Sequence, residues 1–350
     1  MLSRQVLRCL PVLAVAMGAG PALSQTTPPF GSNITSITLD PVRSIAAPQT
    51  VNGITYNGQS QSLRSFNTGS TIWDLASAPA NVIFRRSGTA GAVNNRQVVW
   101  ERQNTSATNL RGPAPTTTQA ALQQNNIFLG TDNLFTNTGN SSGNQSDVER
   151  VDFIFSRSFT AAANAGVTVF ERGATGAHDA FGIAAIVGFD TNNNPLFGNL
   201  LRFGAGSWGQ PSLTGGNSYT VLNNSSGQFA QTATVNQDIG GVLIRLSELA
   251  TPGTQIFGYA LFGPDITVGT NLTNFSAFPN NTPETTTGID LVAANLGITK
   301  IRGTIVPEPS PLPTAIPLIL GLGWLVRRRL TLEANRPVEA TLTTDRGEIA

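Results

Sequence analysis

The chain has 350 residues, of which 12% are charged, and a formal net charge of +1. An average globular protein is about 25% charged, and a nucleic-acid partner needs a basic field over its phosphates, so that class of partner is not expected. With one His and one Cys in the whole chain, a His/Cys metal centre or a cysteine protease is not expected either.

Residues 1–24 read as a secretory signal peptide. Arg4 and Arg8 supply the positive start, residues 9–20 the short apolar stretch, and Ala22 and Ser24 the small residues ahead of a cut before Gln25. Cleavage there removes Cys9, leaving a mature chain without disulfides whose stability rests on a packed core.

Between residues 25 and 305 the chain is rich in Gly, Asn, Thr, Ser and Ala. Its apolar residues fall in short alternating or continuous runs. That period is one of strands, not of helices. Strands are expected at 34–39, 81–86, 96–102, 148–155, 166–172, 181–189, 196–203, 241–246, 256–262 and 298–305. The second and third are expected to pair across a Gly-rich loop. In 148–155 (VERVDFIF) alternation puts Val148, Arg150, Asp152 and Ile154 on one face. Glu149, Val151, Phe153 and Phe155 fall on the other. Asn52-Gly53 and Asn57-Gly58 are hairpin signals, and 190–195 (DTNNNP) joins two strong strands. One short helix is expected at 117–124. Residues 103–118 and 136–146 read as long surface loops. The fold class expected is mainly β, a β-sandwich or jelly-roll-like ectodomain.

Candidate chemistry in this region is sparse. His178-Asp179 has no nucleophile motif to serve, and a loop histidine is expected. Glu149, Asp152 and Glu171 are the residues a carbohydrate-active enzyme would use, but Arg150 and Arg172 stand beside them and favour a cross-strand ion-pair network. Asp190, Asn192 and Asn194 open like a calcium loop, yet Pro195 and Leu201 occupy the places of its Gly and Glu. An Asn-rich turn is expected, with a surface calcium site as the alternative. Of the tryptophans, Trp100 is expected in the core, and Trp208, in a Gly-rich loop, is the better candidate for an exposed sugar-stacking ring, although core packing is the preferred reading and ligand stacking the alternative.

Residues 311–326 (PLPTAIPLILGLGWLV) carry no charge and are followed by Arg327, Arg328 and Arg329. Sixteen helical residues reach about 24 Å at 1.5 Å each, short of the ~30 Å hydrocarbon core, a deficit that snorkelling arginines and local thinning can close. One short C-terminal transmembrane helix is expected, with the three arginines as the cytoplasmic stop-transfer signal. Ahead of it stand Val306, Pro307, Glu308, Pro309 and Ser310. The two prolines hold this segment extended, and Glu308 presents one carboxylate.

In this order of motif, apolar helix and arginine cluster, residues 306–329 resemble the PEP-CTERM sorting signal of bacterial exported proteins. The resemblance implies recognition by exosortase, a membrane-embedded transpeptidase-like protease, and release of the ectodomain to the cell surface or extracellular matrix. One departure is a polar tail of 21 residues, 330–350, after the arginines. Residues 148–190 are similar to the ectodomains of a group of such surface proteins, which implies placement but no activity.

The expectation is therefore a non-enzymatic, exported protein, membrane-anchored as a precursor and then at the cell surface or in the matrix. No catalytic residue, cofactor or metal is expected. Extracellular polysaccharide is the partner class that suits its composition. A lectin-like module and a carbohydrate-active enzyme at Glu149, Asp152 and Glu171 are the alternatives.

Overall fold

The computed structural model describes residues 30–77, 79–86, 97–135, 148–173, 178–205, 208, 217–224, 229–274, 278, 288–294 and 297–302. The signal peptide, the 136–146 loop, the sorting motif, the apolar stretch 311–326, the arginine cluster and the polar tail all lie outside the described residues. Among the described residues no helix is long and apolar enough to cross a membrane.

The protein is mainly β, built of curled antiparallel sheets. The larger runs in the order Leu129–Thr131, Gln97–Glu101, Asn217–Asn224, Phe229–Arg245, Ala165–Gly173, Ile298–Ile301, Thr71–Ser77, Leu63–Thr68 and Ser36–Leu39. Ser32–Asn33 adds on to Phe229–Arg245. The second sheet runs Pro195–Phe197, Phe181–Phe189, Gln255–Phe262, Val148–Thr160 and Pro79–Arg86, with Leu201–Phe203 also on Phe181–Phe189.

The alternation read in residues 148–155 decides how the second sheet packs. Val151 and Phe153 pair with Leu261 and Tyr259, which pair in turn with Ile183 and Ala185. All six are buried in one hydrophobic cluster with Val167, Val169, Val242 and Ile244 of the larger sheet. Each Val, Leu, Ile or Phe side chain among them contributes about 1.5–3 kcal/mol on burial. The opposite face of the same strands carries Asp152, Ala260, Ala184 and Phe262. It is covered by Ile266, Leu272 and Phe278, which form a second cluster with the last three. Both faces are therefore dry, and Ala165–Gly173 is buried at every position.

Local signals act where their chemistry is strict. Asn52-Gly53 makes a two-residue hairpin between Gln49–Val51 and Ile54–Tyr56, with φ of 52° and 76°, the positive pair that such a turn demands. The helix is Thr118–Leu122, capped by the Thr117 hydroxyl, which accepts from the Ala120 N–H at 3.0 Å.

Other expectations are corrected. Pro79–Arg86 and Gln97–Glu101 are not partners. The first pairs with Val148–Thr160 and the second with Asn217–Asn224 and Leu129–Thr131, in different sheets. Asn57-Gly58 is not a hairpin tip but a crossing. The Gly112 N–H donates to Asn57 Oδ1 and the Gly58 N–H to the Gly112 carbonyl. Gly58 has φ +68°, and a Cβ there would lie 2.1 Å from the Ala46 carbonyl oxygen, so only glycine fits. Segment 103–116 does not hang free. Asn109–Leu110 pairs with Thr55–Tyr56, Leu110 is buried, and the Pro113 carbonyl accepts from the Trp100 indole. Residues 196–203 divide into Pro195–Phe197 and Leu201–Phe203, because the Gly198 N–H turns in to the Ala185 carbonyl.

Candidate functional site

The larger sheet curls back on itself through residues 289–292. Gly130 bridges to Val292 and Leu134 to Ile289 on one side of that segment, and Glu171 bridges to Leu291 on the other. The Thr131 N–H donates to the Leu291 carbonyl, the Arg172 N–H to the Asp290 carbonyl and the Val292 N–H to the Phe170 carbonyl. With the pairings of Leu129–Thr131, Gln97–Glu101, Asn217–Asn224, Phe229–Arg245 and Ala165–Gly173, this closes a ring of hydrogen-bonded segments.

Glu171 and Arg172 are adjacent in a strand, so they point to opposite faces. The pair of E-R dipeptides that suggested one network is therefore split. Arg172 points into the ring. It is fully buried, its guanidinium lies 5.0 Å from the centre of the Tyr219 ring, and its Nη2 donates to the Thr131 carbonyl. The Asp132 and Asp290 carboxyls lie in the same interior, where the charge of Asp132 acts on Asp290. Asn133 donates to both, through its backbone N–H to Asp290 Oδ1 at 2.7 Å and through its side chain to Asp132 Oδ2 at 2.9 Å. The Gln237 amide donates to Asp290 Oδ2 at 2.5 Å.

Two buried carboxyls that feel each other's charge resist ionising together. Burial, then the charge of Asp132, raises Asp290 well above the usual carboxylate range, and Arg172 only partly opposes this. Burial also raises Asp132, against the attraction of Arg172. The stronger rise is at Asp290, and Arg172 acts against it at both carboxyls.

Because the native pair holds its proton to higher pH than the unfolded chain does, its contribution to stability is present in acid. It is lost as pH rises from the ordinary carboxylate range through the raised native value. Asp290→Asn keeps the shape of the side chain without a titrating proton, and Gln237, whose Oε1 has no partner, can turn its amide to match. Urea unfolding of this variant and the parent across pH 4–8 is expected to show the variant gaining on the parent as pH rises. The expected gain is about 1 kcal/mol or more by neutrality. A constant difference between the two would contradict the raised native value.

Glu171, on the outer face, meets the second polar group. Its carboxylate accepts from the Asp179 N–H at 2.8 and 3.0 Å and lies 3.4 Å from His178 Nδ1. Burial, then Asp179, raises Glu171 well above the ordinary value, and burial lowers His178. His178 packs over Gly240, where a Cβ would lie 2.4 Å from Nε2. Trp208 closes the group. Only 5% exposed, it donates from its indole N–H to the Asp179 carbonyl at 2.7 Å and packs on the His178 and Phe181 rings. Trp208 is thus packed, as the preferred reading had it, and Trp100 is core.

Asp152 stands apart on the outer face of the second sheet. Arg150 donates to both of its oxygens at 2.6 and 3.1 Å, and Arg85 adds a bond at 3.0 Å from the neighbouring strand. Arg150 also donates to the Leu272 carbonyl and lies over the Phe197 ring. Glu149, on the inward-pointing set, is buried. The three carboxylates singled out for catalysis are therefore distributed, Asp152 and Glu171 being in different sheets.

Asp190 folds its own turn. It accepts from the Asn192 and Asn194 N–H groups at 2.8 and 2.7 Å and from the Asn194 amide at 2.9 Å, and these bonds lower its pKa. That is the Asn-rich turn expected of the segment.

Asp132, Asp290, Gln237 and Tyr219 were not legible as partners of Arg172, since they come from four separate segments and only ring closure joins them. Comparison with known proteins gives no match: no family model, no curated protein and no solved structure is significantly similar to this chain.

Proposed function

We propose that this chain is a non-enzymatic exported protein of the cell surface or extracellular matrix, anchored as a precursor by a short helix at 311–326. In this reading it is sorted by an exosortase-type system. The observation that carries the reading is the order of residues 306–329: Val306-Pro307-Glu308-Pro309-Ser310, an uncharged stretch, then Arg327, Arg328 and Arg329. The arginines stop transfer and leave the β-rich body outside the cytoplasm.

Two features of the body support this reading. Antiparallel sheets that share one core suit a β-sandwich or jelly-roll ectodomain. The carboxylates that an enzyme would need are committed elsewhere. Asp152 is held between two arginines and Glu171 lies beneath the Asp179 N–H, while Asp132 and Asp290 lie buried with Arg172. Glycoside hydrolysis needs carboxyls roughly 5–9.5 Å apart. The lectin-like alternative loses its ring at Trp208, which is buried.

The test is intact mass and cell fractionation of the exported protein, with and without Pro307→Ala and Glu308→Ala together. The parent is expected to lose the segment after the motif and leave the membrane fraction. The double variant is expected to keep its full mass and stay. Identical mass and location for both would overturn the reading.

A further inference from the structure

The strand Phe229–Arg245 is much longer than its partners on one side. Ala165–Gly173 covers one edge only from Asp238 to Arg245. The other edge is taken by Asn217–Asn224 along 229–237 and by Ser32–Asn33 at Val242 and Leu243. The direction of the backbone groups shows which residues address the first edge beyond Asp238. The Gly241 carbonyl accepts from Ile34 and the Ser218 carbonyl accepts from Arg102. Ser218 therefore faces Gln97–Glu101, and its neighbour Tyr219 faces Val235, its cross-strand partner. By alternation, Thr234 and Asn236 direct their N–H and carbonyl groups away from Asn217–Asn224.

Among the described residues nothing pairs with that edge. Ala230–Thr234 and Asn236 are exposed on both faces of the strand, and only Val235 is half-buried. Edges of this kind are usually blunted by Lys, Pro or inward charge. Here none is present: from Gly204 to Gln237 there is no charged residue, and 217–237 has no proline. A bulge opposite Val221 leaves Ala233–Gln237 as the regular part.

We propose that this edge is an interface between two copies of the chain, which pair antiparallel along residues 233–237 and join their larger sheets into one. The occupant follows from the chemistry. An antiparallel pair of identical strands is two-fold symmetric, so any charge would meet its like or a near neighbour. A strand of Ala, Thr, Val, Asn and Gln meets only neutral, β-compatible side chains. An acidic or basic partner strand would find nothing here to pair with. The inference is independent of the sorting signal and holds whether or not residues 306–329 are cut.

The test is hydrogen exchange and sedimentation of the full chain in detergent micelles over a hundredfold range of concentration. The parent is compared with Thr234→Lys and Thr234→Pro. Thr234 is exposed, and its N–H is not used by the hairpin, so Pro removes only the outward donor. The parent is expected to dimerise as concentration rises, with exchange slowing in the 229–237 peptide. Both variants are expected to weaken the dimer at least tenfold while unfolding at the parent's denaturant midpoint. A monomer at every concentration would overturn the proposal. So would a dimer that both variants leave intact with exchange in 229–237 unchanged, because association would then run through another surface.

Discussion

Replacing Arg172 by Met is expected to destabilise the protein by about 1.5–3 kcal/mol at neutral pH, the usual cost of losing a buried, hydrogen-bonded charged group. The side chain is fully buried, and its guanidinium is the cation facing Asp132 and Asp290. Without it, the Asp132 carboxyl remains largely buried near that of Asp290, with no cation to oppose its charge. Packing alone would make the change milder, since Met fills much of the stem and two guanidinium nitrogens, Nε and Nη1, have no hydrogen-bond partner among the described residues. The electrostatic origin can be separated from packing in two ways. Adding Asp132→Asn removes the stranded charge, and the double variant is expected to recover more than half of the loss in urea unfolding. Lowering the pH until Asp132 takes up a proton is expected to shrink the deficit of the single variant. A deficit indifferent to both would assign the role of Arg172 to shape.

What the sequence disclosed, and what it hid, divides by range. Alternation in residues 148–155 identified the inward face of Val151, Phe153 and Phe155 correctly, because a half-pattern of charge on the other face marks it. The Asn52-Gly53 hairpin was legible because positive φ at two consecutive residues restricts the choice of residue strongly. Strand pairing was not legible. Pro79–Arg86 and Gln97–Glu101 are close in sequence, yet the first pairs with Val148–Thr160 and the second lies between Leu129–Thr131 and Asn217–Asn224. No local signal encodes that choice. Ala165–Gly173 illustrates the same limit for the polar groups. The E-R dipeptide at Glu171 and Arg172 looks like the one at Glu149 and Arg150, and both were read as ion pairs across strands. In fact Arg150 pairs within its own strand with Asp152, two residues on and on the same face, whereas Arg172 is directed into the closed ring. Trp208 left two readings open for a related reason. Its glycine-rich neighbourhood suggests exposure, but Gly240, lacking a side chain, makes the space in which His178 and then Trp208 lie.

Removing the carboxylate of Asp152 is the second large effect. Asp152→Ala is expected to cost about 3–5 kcal/mol, because the Arg150 side chain, 5% exposed, loses the carboxylate to which it makes two bonds under Leu272 and Phe197. Arg85→Ala is expected to cost no more than about 1 kcal/mol, since that side chain is 37% exposed and water can replace the lost bond. The asymmetry is itself informative: one carboxylate serves two arginines, but only the buried arginine depends on it. The double variant Arg150→Met with Asp152→Leu removes both buried charges together and fills the space with apolar side chains beside Ala260, Phe262 and Leu272. It is expected to lie within about 1–2 kcal/mol of the parent, as buried pairs replaced by hydrophobic residues commonly do. Denaturant midpoints of the four proteins measure all of this in one series. If the double variant were as unstable as Asp152→Ala alone, the arginine would be holding the 263–278 segment in place through its bond to the Leu272 carbonyl. The outer cover of the sheet would then depend on that hydrogen bond more than on Ile266, Leu272 and Phe278.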